Sequence, residues 1–142
     1  MELDDFTRHY LVAALWASTT SSADMPEPLD AYFTIDDIGP NFLNKAIEDC
    51  RDFQRQQHHL LARAYAFYIE NGNAAHPDAG SPEACAGHDF WLTRGRHGAG
   101  FWDRGMGELG QLLTDAAHAA GEVDFDQYDM LDPTAGGQVE TQ

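Results

Sequence analysis

The chain has 142 residues, 43% of them hydrophobic and sixteen of them aromatic, and its formal net charge is −16. This length suits one domain with a real core, and the longest apolar run, residues 11–17, is far too short to span a membrane. The N-terminus is acidic and does not have the basic start of a signal peptide. Two isolated cysteines, Cys50 and Cys85, without zinc-binding spacing predict reduced thiols and a cytoplasmic location.

The acidic residues are concentrated in the two flanks of the chain. Residues 1–50 carry ten acids against two basic residues, residues 51–104 carry six of each, and residues 105–142 carry eight acids without a Lys or Arg. Because phosphate binding needs clustered Lys and Arg, this distribution argues against direct contact with nucleic acid. It favours a protein that offers carboxylates to a nucleic-acid-binding partner. A need for solubility, or adaptation to high salt, would produce the same acidity.

The first half of the chain has the apolar spacing of helices. A helix is predicted from Asp4 to about residue 18, with Asp4 or Asp5 as its N-cap. Residues 34–37, with Asp36 and Asp37, have the composition of a helix start. A further helix follows Pro40. If it ran unbroken to residue 71 it would be about 45 Å long, so it either projects or breaks near the polar residues 56–59.

The second half predicts two more helices and a turn-rich segment between them. Ser81 and Pro82 suit the N-cap and first position of a helix, and a last amphipathic helix runs from Met106 to a terminating Gly121. The first residues of 123–131 alternate between acidic and apolar side chains. This pattern is compatible with a short edge strand or hairpin. The sequence therefore predicts a mainly α domain over residues 1–132, with α+β as the alternative, and a disordered tail over residues 133–142.

The stretch GHDFWLTRGRHGAGFWDRG, residues 87–105, combines two Phe-Trp pairs with five glycines. Glycines at this density indicate positive φ angles or a close approach of two backbones. We expect the aromatic side chains to pack in the core, with one tryptophan left partly exposed as a contact anchor, because tryptophan is enriched at interface hot spots.

The charged residues of this stretch allow both structural and chemical roles. Pairing of Arg94 with Asp103 and of Arg104 with Asp89 would hold the turn by charge-assisted hydrogen bonds. His88–Asp89 and His97 with Asp103 are residue types that bind metals or transfer protons. Because no converging ligand spacing accompanies them, the sequence predicts no metal, no cofactor and no catalytic residue.

The segment AGHDFWLTRGRHGAGFWDRGMGELGQLLTDAAHAAGEVD, with YFTIDDIGP upstream, resembles a widespread family of small, largely uncharacterised bacteriophage proteins. The resemblance covers about half of the chain. It implies a viral origin and no particular reaction. It also implies that the motif positions of this chain are Asp89, Trp91, Arg94, His97, Gly98, Gly100, Trp102, Asp103 and Arg104.

These features lead to three functional hypotheses. The first is an accessory protein that inhibits a host nucleic-acid-binding defence complex, of the restriction or CRISPR type, by protein–protein contact with DNA-mimic character. It would act in the host cytoplasm, without a membrane, as a monomer or a homodimer. The second is a small enzyme or nucleotide-processing protein that uses the His and Asp residues of the 88–104 motif. The third, ranked last, is a single-strand binder that stacks bases on Trp91 and Trp102. For the first hypothesis the expected partner-binding residues are Asp30, Asp36, Asp37, Asp124, Asp126, Asp129 and Trp102.

Overall fold

The computed structural model describes residues 3–17, 34–71, 80–96 and 99–123. Within these ranges the chain forms helices and turns without a β-strand, so the predicted mainly α class is confirmed. The predicted strand or hairpin at 123–131, apart from residue 123, and the tail at 133–142 lie outside the described residues. The helices are α1 (Asp5–Ala17), α2 (Pro40–Gln56), α3 (His58–Glu70), α4 (Pro82–Arg94) and α5 (Glu108–Ala119), with 3-10 turns at Ile35–Asp37 and Phe101–Asp103.

The helix starts follow the capping residues that the sequence indicates. The Oδ1 of Asp4 accepts a hydrogen bond from the backbone N–H of Thr7 (2.7 Å), at the start of α1. The Oγ of Ser81 accepts from the N–H of Ala84 (3.1 Å), at the start of α4. The same hydroxyl donates to Oδ2 of Asp5 (2.9 Å), so these hydrogen bonds also join the first turns of α1 and α4.

The predicted start at residues 34–37 is a 3-10 turn, and α2 begins only at Pro40. The N–H of Thr34 donates to Oδ2 of Asp37 (2.9 Å), and the Thr34 hydroxyl accepts from the N–H of Asp36 (3.3 Å). Asp37 is therefore already engaged by the backbone that it caps, whereas Asp36 is exposed.

The long apolar segment from residue 40 to residue 71 breaks at Gln57, which confirms the predicted break near residues 56–59. The alternative of one projecting helix is wrong. Both halves bury apolar side chains in the same core, which an unbroken helix of that length could not do in a domain of this size. The buried residues are Phe42, Ala46, Cys50 and Phe53 of α2, and Leu61, Ala64 and Tyr68 of α3.

The last helix begins at Glu108, two residues later than the sequence predicts. Gly105 (φ 83°) and Gly107 (φ 62°) both adopt left-handed backbone conformations, which an α-helix cannot include. The helix ends before Gly121, whose φ of 81° places it in the left-handed conformation typical of helix C-termini.

Helix α4 lies at the centre of the described structure, and all of its residues from Ala84 to Arg94 are buried. Its neighbours are α1, α3, α5 and the turn at residues 101–103, and its side chains also contact α2. The crossing of α1 and α4 is very close, because a Cβ at Gly87 would overlap the backbone carbonyl of Phe6. None of the described helices has the length and apolarity needed to cross a membrane.

The aromatic side chains of α4 form the middle of the core. Phe90 stacks on Phe53 with ring centroids 4.0 Å apart and contacts Tyr10 at 5.4 Å. Trp91 meets Tyr10 edge to face at 5.2 Å and is only 3% exposed. Trp102, in contrast, is 53% exposed. One Phe-Trp pair of the motif is thus entirely in the core, and the other is divided between the core and the surface.

Substitution of Gly87 tests the close crossing of α1 and α4. Gly87→Ala should lower the free energy of unfolding by about 2 kcal/mol or more, because the backbone of Phe6 must move to admit the methyl group. Gly105→Ala is the control. Its new methyl group meets open space, so only the positive φ opposes it, at a cost of about 1 kcal/mol. Urea denaturation measures both values. Equal stability of Gly87→Ala and the wild type would contradict the crossing.

Candidate functional site

The motif residues fall into two structural elements that pack against each other. Residues 87–94 form the second half of α4. Gly100, the 3-10 turn Phe101–Asp103 and Arg104 form a segment that we call the Trp102 turn. His97 and Gly98 lie between these elements, outside the described residues.

The carboxylate of Asp89 is the centre of a buried network, here called the Asp89 network. Asp89 has no exposed surface. Its Oδ2 accepts a hydrogen bond from the hydroxyl of Tyr68 (2.6 Å), and its Oδ1 accepts one from Nη2 of Arg104 (2.7 Å). Nε of Arg104 lies 3.2 Å from both oxygens. Nδ1 of His88 lies 3.7 Å from Oδ1. The predicted pairing of Arg104 with Asp89 is present, and it joins the Trp102 turn to α4.

These contacts keep Asp89 ionised in the core. Burial raises the pKa of Asp89, but the nearby His88, the hydrogen bonds and charge of Arg104, and the Tyr68 hydroxyl together lower it below its ordinary value. Burial and the adjacent carboxylate raise the pKa of Tyr68 well above its usual range, so the phenol remains a donor. The network is therefore a permanent ion pair with a neutral donor at neutral pH.

The guanidinium of Arg94 forms a second network, with partners that the sequence did not indicate. Its Nη1 donates to Oδ2 of Asp49 (2.7 Å) and to the hydroxyl of Tyr10 (3.1 Å). Its Nε and Nη2 donate to the carbonyl oxygens of Gly121 (2.7 Å) and Ala120 (3.0 Å). Arg94 thus satisfies carbonyls at the C-terminus of α5, which have no partner within that helix.

The predicted pairing of Arg94 with Asp103 is wrong. Arg94 is the last residue of α4, and its side chain extends to Asp49 in the middle of α2 and to the end of α5. The Oδ1 of Asp103 instead accepts a hydrogen bond from the N–H of Gly100 (3.0 Å), within the Trp102 turn. The attraction of opposite charges is satisfied by a different acid, Asp49, 45 residues earlier in the chain.

The Trp102 turn is held on every side except at Trp102 itself. The N–H of Phe101 donates to Oγ1 of Thr93 (3.0 Å), and the Phe101 ring is fully buried. Gly100 has a φ of 147°, and a Cβ at this position would overlap the Thr93 hydroxyl. Arg104 closes the turn onto Asp89. The result is a fixed turn with one large aromatic side chain directed to solvent.

The predicted partner-binding residues are only partly described. Asp36 and Trp102 are exposed, while Asp37 is half-buried and acts as a cap. The remaining four predicted acids, Asp30, Asp124, Asp126 and Asp129, lie outside the described residues. Sequence reasoning missed Tyr10, Asp49, Tyr68 and Thr93 as partners of the motif. The contacts of Tyr10, Asp49 and Tyr68 join residues that are far apart in sequence, whereas Thr93 binds the nearby Phe101.

The described residues show no arrangement suited to a metal ion, and the described cleft borders the partners of Arg94. In ranges 3–17, 34–71, 80–96 and 99–123, no group of three or more His, Cys, Asp or Glu residues could hold a metal. The absence of metal and cofactor stays a prediction. A cleft of about 320 Å³ lies between α2 and α5, and two of its lining residues, Asp49 and Ala120, accept hydrogen bonds from the motif residue Arg94. Its lining is Asp49, Asp52, Phe53, Gln56, Gln57, Ala116, Ala119 and Ala120.

Comparison with protein families, with curated proteins and with solved structures returns no match for this chain. The bacteriophage resemblance of the motif therefore stays a prediction, and function is inferred from the geometry and the charge.

Removal of the Asp89 carboxylate should destabilise the protein strongly. Asp89→Asn leaves the guanidinium of Arg104 buried without its counter-ion, so the free energy of unfolding should fall by about 3–5 kcal/mol. Asp103→Asn is the comparison, because it neutralises an exposed acid whose Oδ1 accepts one backbone hydrogen bond and lies 3.8 Å from Nε of Arg104, at a cost of about 1 kcal/mol. Urea denaturation at pH 7 measures both. Similar losses in the two variants would contradict the central role of Asp89.

The effect of Asp89→Asn on the free energy of unfolding should depend on pH. The pKa of Asp89 is lower in the folded protein than its ordinary value near 3.9 in the unfolded chain. Its ionisation therefore stabilises the fold fully above that value, and the stabilisation is lost as pH falls through the folded pKa. The difference in free energy of unfolding between wild type and Asp89→Asn should be constant from pH 7 to about pH 5 and should shrink below about pH 4. A difference independent of pH down to about 2.5 would show that the pKa of Asp89 is not lowered.

Proposed function

We propose that this protein is an accessory inhibitor that docks on the phosphate-binding surface of a nucleic-acid-binding protein in a host defence complex, of the restriction or CRISPR type. Exposed carboxylates take the place of phosphates, and Trp102 is the aromatic anchor of the interface. The charged motif residues act inside the molecule, where they fix the turn that carries Trp102. On this proposal the protein is a binding protein of the host cytoplasm and not an enzyme.

The observation that carries the proposal is the contrast between Trp102 and its neighbours. Phe101 is fully buried, and the side chain of Arg104 is 17% exposed and bound to Asp89, yet Trp102 is 53% exposed. An aromatic side chain on a fixed turn loses little conformational entropy when a partner covers it. Tryptophan is also a preferred hot-spot residue. An anchor for another protein accounts for the exposure of this ring.

The negative charge of the C-terminal region supports binding to a positively charged partner. Glu108 and Asp115 are exposed on α5, and Glu122 is exposed just beyond its end. Leu112, on the same exposed side of the helix, is 39% exposed. From residue 105 to residue 142 the sequence contains no Lys or Arg. A field of one sign attracts an oppositely charged surface and raises the association rate, with a strong dependence on salt.

The geometry gives less support to the two other hypotheses. An enzyme that used His88 and Asp89 would need a carboxylate accessible to substrate, but Asp89 is fully buried and both of its oxygens accept hydrogen bonds. A single-strand binder would need exposed rings and free cations. Trp91 is 3% exposed and Arg94 2% exposed, so neither can contact a base or a phosphate.

The proposal is tested by a partner search followed by a competition assay. The tagged full chain is used to retain proteins from a host lysate at low and at high salt, and the proteins whose retention depends on salt are identified. The nucleic-acid affinity of each is then measured with increasing amounts of this protein. We expect at least one partner to lose its nucleic acid at stoichiometric inhibitor. If every retained protein binds nucleic acid equally well in excess inhibitor, the proposal is wrong.

Three carboxylates of the C-terminal region should contribute more to the association rate with the partner than three exposed carboxylates on α2, α3 and α4. We expect the Glu108→Gln, Asp115→Asn, Glu122→Gln variant to bind the partner with a lower association rate and a weaker salt dependence, because steering depends on local charge. The control variant Glu48→Gln, Glu70→Gln, Glu83→Gln removes the same charge from exposed positions of α2, α3 and α4. Surface plasmon resonance across ionic strength measures both. Equal effects of the two sets would mean that net charge alone controls binding.

A further inference from the structure

A second exposed tryptophan lies close to the Asp89 network. Trp16, in the last turn of α1, is 52% exposed, nearly the same fraction as Trp102. Its ring centroid lies 6.0 Å from that of His88, with an angle of 35° between the ring planes. His88 itself is 7% exposed, so the half-exposed indole of Trp16 lies beside a buried imidazole. Ordinary core packing does not account for a tryptophan left half in solvent at this point.

Short contacts connect the two exposed indoles through one buried carboxylate. Nδ1 of His88 lies 3.7 Å from Oδ1 of Asp89, and the same oxygen accepts the 2.7 Å hydrogen bond from Arg104. Trp16 is therefore attached to Asp89 through His88. Trp102 is attached to it through Arg104, two residues along a fixed turn. Each indole is half-exposed, Trp16 on α1, which packs on α4, and Trp102 on the turn that Arg104 attaches to Asp89.

We propose that Trp16 and Trp102 form one docking surface with two rings, and that this surface takes arginine side chains of the partner, a guanidinium over each indole. The inference rests on the proposed function, which itself requires only Trp102 and the exposed carboxylates. It adds Trp16, which is connected to the Asp89 network through His88, and it names the chemistry that the partner must present.

The charge around the rings favours arginine over an apolar partner. Arg104, the cation nearest to Trp102 in sequence, is turned inward to Asp89, while Asp103 beside it is exposed. Indole is the strongest side chain for cation–π contacts, and arginine makes such contacts more often than lysine. The planar guanidinium can also stack on the ring, which an ammonium group cannot do. A surface that normally grips phosphates is rich in arginine.

The test uses a peptide of nine arginines as the probe and a peptide of nine lysines as its comparison. The proteins are the full-length wild type, Trp16→Leu, Trp102→Leu and the double variant, with Ile69→Ala as control because Ile69 is 64% exposed on α3. Dissociation constants are measured by calorimetry. Tryptophan emission is recorded in parallel, and the buried Trp91 gives a constant background. In Trp102→Leu the remaining exposed indole is Trp16, so its emission reports on Trp16 alone.

We expect each single variant to bind nine arginines about two- to fivefold more weakly, the double variant to be weaker than either, and Ile69→Ala to be unchanged. The emission of Trp102→Leu should still change when the arginine peptide is added, and nine lysines should bind more weakly. If that emission stays constant, or if Trp16→Leu binds as tightly as wild type, the two-ring surface is wrong. The proposed function would survive that result as long as binding still depends on Trp102 and on the C-terminal carboxylates. Absence of any binding to nine arginines at low salt would overturn both.

Discussion

The ion pair between Asp89 and Arg104 is the constraint on which the rest of the structure depends. A fully buried carboxylate is tolerated only when its charge and its oxygens are satisfied, and here an arginine and a tyrosine satisfy them. These partners come from α3 and from the Trp102 turn, so one carboxylate brings three segments of the chain together. A pair of this kind adds little to stability compared with apolar packing of the same volume, but loss of either partner is costly. The ion pair therefore determines how α3, α4 and the Trp102 turn pack together, and it adds little to the free energy of unfolding.

The burial of α4 explains why polar residues are needed in the centre of the molecule. A helix covered on all sides has no exposed face where charged residues can reach water, so each charged side chain must find its partner inside. Asp89 binds the Trp102 turn, and Arg94 binds Asp49 of α2 and the carbonyls at the end of α5. The two networks thus attach the C-terminal segments to the central helix. The exposed Trp102 lies between Phe101, whose N–H binds Thr93 of α4, and Arg104, which binds Asp89, so the backbone on both sides of Trp102 is attached to α4.

Much of the helical structure could be predicted from local sequence because its causes are local. Capping by Asp4 and Ser81, the polar break at Gln57 and the terminating Gly121 are all properties of short segments. The late start of α5 was missed because only the backbone shows that the glycines before it have positive φ. The motif predicted that one of its two tryptophans is partly exposed, and the structure shows that this residue is Trp102.

The partners of the motif could not be predicted in the same way. The pairing of Arg104 with Asp89 was correct, but Arg94 and Asp103 lie in the same short segment and do not pair, so closeness in sequence does not decide the partner. The pairing of Arg94 with Asp103 was wrong because charge alone does not choose among twenty-four acids, and the choice depends on how α2 and the end of α5 pack beside the last residue of α4. The sequence does not indicate the hydrogen bond of Tyr68, because a tyrosine among apolar residues has the same spacing whether or not its hydroxyl has a partner.

The central claim is that the charged motif residues support the surface and do not take part in binding. The most direct measurement is the affinity for nine arginines of the triple variant Tyr68→Phe, Asp89→Leu, Arg104→Met. This variant replaces the ion pair and its donor by apolar side chains without a change in net charge, and such replacements often preserve stability. We expect a folded protein with Trp102 exposed and an unchanged dissociation constant. A folded variant with Trp102 exposed that no longer binds the peptide would contradict the claim.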